Sequence, residues 1–137
     1  MATTYDEALQ ACKTFEKKYN ILWKETSRFK AESKKYDDNY IIDENLTIKE
    51  NRVQVENLRK TALAQKERMQ EEMHKLEEYI AATITDYIVS EFDLNLAQAR
   101  LVYARAYDDG HSNGYEDVLA KASEYGEFAR NILHSLD

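Results

Sequence analysis

The sequence predicts an all-α protein: a long antiparallel coiled-coil hairpin followed by a C-terminal helical hairpin. Three observations predict it. The first 109 of 137 residues contain neither glycine nor proline, the strongest punctuators of local structure. An unbroken heptad rhythm runs through the N-terminal segment. A second such rhythm occupies the C-terminus, after a short glycine-bearing turn. The expected organisation is a single elongated helical domain over 1–137, with the coiled-coil hairpin in 1–89 and the C-terminal hairpin in 90–137.

The first helix is read from Tyr5, Ala8, Cys12, Phe15, Tyr19, Leu22, Thr26, Phe29, Ser33 and Tyr36, spaced alternately three and four apart. That spacing lays one helix along another. Its mixture of large aromatics and small residues suits an antiparallel or multi-helix packing. Leu9, Ile21 and Trp23 fall outside the seam and widen the apolar stripe. Residues 4–37 would extend for about 50 Å as a helix.

The first connection is expected over 37–45, where Asp37, Asp38 and Asn39 supply turn-prone side chains and Tyr40, Ile41 and Ile42 form an apolar clip. Thr47 and Glu50 match a capping box, so the second helix should start there. Its seam is read as Ile48, Val55, Leu58, Ala62, Met69, Leu76, Ile80, Thr83 and Tyr87, with a slip in phase near Met69 and Met73. Ser90 with Asp93 can cap a third helix, so a break or kink near 90–94 is favoured over the alternative, a second helix that runs on to Asp109 without glycine or proline to stop it.

The third helix is expected to end on Gly110 as a left-handed cap residue, and Asn113 with Glu116 to cap the last. The final seam is Tyr115, Val118, Ala122, Tyr125, Ala129, Ile132 and Leu136. It should lie antiparallel along Leu94, Ala97, Leu101 and Ala104, because the intervening loop is short. Gly126 inside this helix costs about 1 kcal/mol relative to Ala, which a close approach would explain.

Composition narrows the class. Ten Tyr and one Trp are too many aromatics for a disordered acidic chain. No apolar run is long enough to span a membrane, and the N-terminus does not read as a signal peptide. A single cysteine, Cys12, excludes an internal disulfide framework and suits a reducing, cytoplasmic setting. Net charge is −7 and uneven: residues 1–37 carry eight Lys/Arg against six Asp/Glu, and residues 79–137 carry four against ten. The acidic half disfavours direct nucleic-acid binding, which needs positive charge. It would steer the chain toward a basic partner.

No catalytic motif is expected. Glu71, Glu72 and His74, with Asp108, Asp109 and His111, give two acidic-x-x-His patterns of the kind used by di-iron bundles. The seams lack the further inward carboxylates such a site needs, so neither a metal nor another cofactor is expected. Asp37, Asp38 and Asn39 with Asp43 and Glu44 resemble a calcium loop in composition only, since Ile41 and Ile42 occupy the ligand region. Cys12 has no histidine in its own segment to activate it.

The one candidate interaction or capping turn is 108–116. There His111, Ser112, Asn113, Tyr115 and Glu116 gather an imidazole, a hydroxyl, an amide, a phenol and a carboxylate beside a helix start. The same residue types also serve as caps.

The stretch 108–133 resembles the C-terminal segments of small, acidic, helical accessory proteins of tailed phages. The resemblance covers about a fifth of the chain and carries no catalytic motif. It implies an intracellular accessory protein that engages or inhibits a host protein, as a host-takeover or anti-defence factor does.

The functional expectation is therefore a non-enzymatic helical protein that binds and modulates an intracellular protein partner. Seams this long and aromatic also suggest a homo-oligomer, most simply a dimer. An acidic nucleic-acid mimic and a structural or scaffold coiled coil are the alternatives. Lys and Arg interspersed through 49–75 disfavour a continuous mimic.

Overall fold

The structure, a computed structural model, describes residues 3–38 and 44–135, without the side chains of Phe29, Glu32, Ser33 and residues 35–38. The described residues are all-helical, with no strand. The helices are α1 (Tyr5–Asp38), α2 (Ile48–Phe92), α3 (Leu96–Gly110) and α4 (Tyr115–Ser135), with a single 3-10 turn, His111–Asn113, between the last two. No helix is long and apolar enough to cross a membrane among the described residues. The chain divides into two compact units, one of Met1–Lys18 with Leu76–Asp137, the other of Tyr19–Lys75.

Two helix starts follow directly from Thr-x-x-Glu. At α2 the Glu50 amide donates to the Thr47 hydroxyl oxygen at 3.1 Å, and the hydroxyl donates to the Glu50 carboxylate at 2.9 Å. Thr4 and Glu7 repeat this at the start of α1, at 3.2 and 3.1 Å, a signal that the sequence reading passed over. Each cap satisfies an otherwise orphaned amide.

In the unit Tyr19–Lys75, Thr26 of α1 and Asn51, Val55, Ala62, Met69 and Met73 of α2 are buried. The Thr26 hydroxyl donates to Leu22 O at 2.8 Å and lies 3.8 Å from Met69 Sδ. The expected seam of α2 is corrected here. Ile48 is 78% exposed and Leu58 is 39% exposed. Asn51 takes the inward position of the first turn instead. Its amide donates to Leu46 O at 3.3 Å and Thr47 O at 3.1 Å, which offsets the cost of burying it. Nor does the phase slip near Met69. Half-buried Arg59 and Lys66 fill the positions between Val55, Ala62 and Met69, so the alternation of four and three is continuous. Long aliphatic stems let such residues cover apolar surface, and the Arg59 guanidinium pairs with Glu56 at 3.4 Å.

The expected connection and its clip fall largely on residues 39–43, and the seam positions Phe29, Ser33, Tyr36 and Leu136 also lie outside the described residues or side chains.

The other unit holds the larger set of fully buried residues. Ala8 and Cys12 of α1, Ile80, Ile84 and Ile88 of α2, and Val118, Leu119 and Ala122 of α4 have no exposed surface. Each such isoleucine contributes about 1.5–3 kcal/mol relative to an exposed one. Tyr5 meets Tyr87 edge to face at 5.8 Å, and the Tyr87 hydroxyl shares a hydrogen bond with Ser123 at 3.0 Å.

The expected break occurs, but by different chemistry. The Ser90 hydroxyl donates back to Asp86 O at 3.0 Å, so Ser90 stays within α2 and does not cap. Asp93 turns the chain at φ 52°, and Asn95 caps α3. The Gln98 amide donates to Asn95 Oδ1 at 2.8 Å, and the Asn95 amide donates to Gln98 Oε1 at 3.0 Å.

This restart sets a new helical phase. Ala99, Val102, Ala106 and Gly110 are the buried face of α3, packed on α4, whereas Ala97, Leu101 and Ala104 are exposed. The expected α3 seam is thus wrong by about half a turn, because a phase read from Leu94 does not carry across a non-helical break. The α4 face is correspondingly Val118, Leu119, Ala122 and Gly126, and Ile132 is exposed.

Candidate functional site

The turn between α3 and α4 is shaped by two glycines with different roles. Gly110 has φ −118°, so it is not the left-handed cap that the sequence suggested. It is buried, and a Cβ there would sit 3.0 Å from Asp117 C and from Val118 N. Backbone therefore passes directly over it, and only glycine leaves the room. Gly114 supplies the positive φ, 109°, which L side chains rarely adopt. It also occupies the capping position expected of Asn113. Val118 N donates to Gly114 O at 3.2 Å, while Asn113 closes the 3-10 turn.

The five candidate residues divide by environment. His111, Ser112, Asn113 and Glu116 are exposed, and Tyr115 is half-buried. His111 folds back on α3. Its Nδ1 lies 2.7 Å from Tyr107 O, and since a carbonyl only accepts, Nδ1 carries the proton. Its ring stacks on Tyr107 at 4.6 Å and 11°.

Tyr115 points the other way, into a cluster that the sequence did not foresee. Its ring meets Phe15 at 4.6 Å and Tyr107 at 6.2 Å. Its hydroxyl shares a hydrogen bond with that of Tyr103, and its carbonyl accepts from Cys12 Sγ at 3.5 Å. Burial pushes the Cys12 thiol up to about 12, helped by the negative charges of Glu116 and Glu16. Burial likewise raises Tyr103 to about 12, and raises Tyr115 further. At neutral pH all three groups stay protonated. A thiol so held is a poor nucleophile, because the thiolate is the reactive form.

A second feature lies along the same pair of helices. An open groove of about 640 Å³ runs between α3 and α4. Leu101 and Phe128 stand on its walls, 74% and 66% exposed. The guanidinium of Arg105 lies over the Tyr125 ring at 5.1 Å, and the Tyr125 hydroxyl donates to Asp109. Sequence reasoning missed the groove because it placed Leu101 in a buried seam. The signal that identifies it is the Asn95-x-x-Gln98 cap, which resets the phase.

Among the described residues, no three His, Cys, Asp or Glu side chains come together in a metal-binding group. Glu71, Glu72 and His74 are exposed on α2, while Met73 between them faces inward. Compared with known protein families, curated proteins and solved structures, the chain matches none.

Proposed function

We propose that this chain is a non-enzymatic helical protein that binds, and thereby modulates or inhibits, an intracellular protein partner. The observation that carries this reading is the exposed apolar surface of the unit Tyr19–Lys75. Trp23 and Ile21 of α1 are 58% and 59% exposed, and Ile48, Val53 and Leu63 of α2 are also open to solvent. Scattered exposed aliphatics are commonplace, but tryptophan is among the residue types most enriched at binding hot spots, and here it is solvated. The excess of carboxylates over 79–137 would steer such a protein toward a basic partner.

In the same reading α1 and α2 form an antiparallel coiled-coil hairpin. Supporting it, Tyr5 meets Tyr87 in one unit and Thr26 meets Met69 in the other. The later α1 residue thus pairs with the earlier α2 residue.

Affinity capture from the source cells, with identification by mass spectrometry, tests the proposal. A partner bound by the wild type should be lost on Trp23→Ala with Ile21→Ser, while helicity and thermal stability stay unchanged. Equal capture by both proteins would exclude this surface. Recovery of the protein alone would favour a self-assembling structural role. A His111→Ala, Ser112→Ala variant is expected to lose stability, because the hydrogen bond to Tyr107 O goes, yet to keep the partner.

A further inference from the structure

We propose that the α3–α4 groove is a self-association surface, occupied by the same groove of a second copy of this chain. This inference does not depend on the partner proposed above, which uses the other unit.

The first argument is shape. The base of the groove is formed by small or buried side chains, Val102 and half-buried Ala129. Large, solvated side chains, Leu101 and Phe128, stand beside it. A surface holding both a recess and the projections that fill a recess is complementary to itself. A twofold axis needs that property, because it sets residue i against j and j against i. Leu101 of each copy would then meet Phe128 of the other, covering the most exposed aliphatic side chain of α3.

The second argument is charge. The α3 wall carries Arg105, whereas the α4 wall carries Glu124 and Glu127. Each sits in a loose, exposed ion pair on its own helix, Glu124 with Lys121 at 4.0 Å and Glu127 with Arg130 at 3.8 Å, which contributes little and which docking would trade for Arg105. A twofold axis parallel to the groove sets the α3 wall of one copy against the α4 wall of the other, so that Arg105 meets Glu124 and Glu127. Without such local matching, a net charge of −7 on each copy would drive the two apart. Stacking on Tyr125 holds Arg105 in place before docking, which lowers the entropy lost on binding.

Sedimentation of the full chain over a range of concentrations tests the inference. The wild type should show a monomer–dimer equilibrium. Leu101→Glu and Phe128→Glu should each shift it to monomer with unchanged helicity, since both side chains are exposed. Reversing Glu124 and Glu127 to Arg should weaken the dimer about tenfold or more in Kd, and adding Arg105→Glu should recover it. A wild type that is monomeric throughout would overturn the proposal. So would a dimer that survives Leu101→Glu and Phe128→Glu, or a charge reversal without recovery.

Discussion

Gly126 shows how a single side-chain hydrogen can decide a helix. A Cβ at this position would lie 2.6 and 3.0 Å from ring carbons of Phe92, and closer still to a third. Phe92 is itself buried and edge to face with Tyr87 at 5.8 Å, so its ring has little freedom to withdraw. Two effects compete in Gly126→Ala. Helix propensity gains about 1 kcal/mol. Overpacking costs about 1–3 kcal/mol. The net expectation is a destabilisation of up to about 2 kcal/mol, measured by denaturant unfolding. In a Phe92→Leu background the same substitution should become neutral or stabilising, a coupling that a double-mutant cycle reads directly. Equal effects in both backgrounds would show that Phe92 is not what holds this position to glycine. The sequence marked Gly126 as a close approach, but the neighbouring surface is an α2 ring, which no local pattern in α4 reveals.

At the scale of elements, what was legible depended on whether the side chain that makes a boundary has only one use. Thr47 with Glu50 is a cap in the sequence and in the fold. The rhythm of Ala8, Cys12 and Phe15 buries all three residues. The 90–95 break was legible only in its approximate place. Ser90 and Asn95 both match helix-start chemistry, but a serine hydroxyl also bonds the carbonyl four residues back without leaving the helix. Asn95→Ala should therefore cost about 1 kcal/mol, since it removes a reciprocal cap, whereas Ser90→Ala should stay within about 0.5 kcal/mol. Urea unfolding of the two variants checks the pair, and equal losses would contradict the assignment. The phase error along α3 follows from the same misplaced start, and so does the failure to see the groove. The α2 seam was misread for a different reason. Its inward positions include Arg59, Lys66 and Asn51, which hydropathy assigns to the surface. The candidate turn was located from its glycines and polar residues, but their individual tasks depended on backbone passing over Gly110, a contact between α3 and α4.

For the whole molecule, the buried titratable groups fix how stability responds to alkali. Cys12, Tyr87, Tyr103 and Tyr115 are all raised above their ordinary values, chiefly by burial, and all belong to the unit of Met1–Lys18 with Leu76–Asp137. The folded state disfavours the charged form of each, so unfolding allows ionisation at a lower pH. Stability should be level below about 9, the ordinary thiol value, and fall as pH climbs toward about 12, where the folded thiol and Tyr103 ionise. Rising net negative charge acts in the same direction, so the slope alone does not identify the groups responsible. Replacing Tyr103 and Tyr115 with Phe removes two ionisations and leaves overall charge at neutral pH untouched. The thermal midpoint of that variant should depend less steeply on pH above about 9 than the wild type's, even if its midpoint at neutral pH is lower. Cys12 provides an independent reading of the same unit. Its labelling by a thiol reagent should be slow in the folded protein and should quicken in step with the loss of tyrosine burial as alkali is added. Trp23, the chain's only tryptophan, belongs to the unit Tyr19–Lys75 and reports on that unit separately. Wild-type and variant midpoints with identical slopes, or rapid Cys12 labelling at neutral pH, would show that this cluster does not set the alkaline limit.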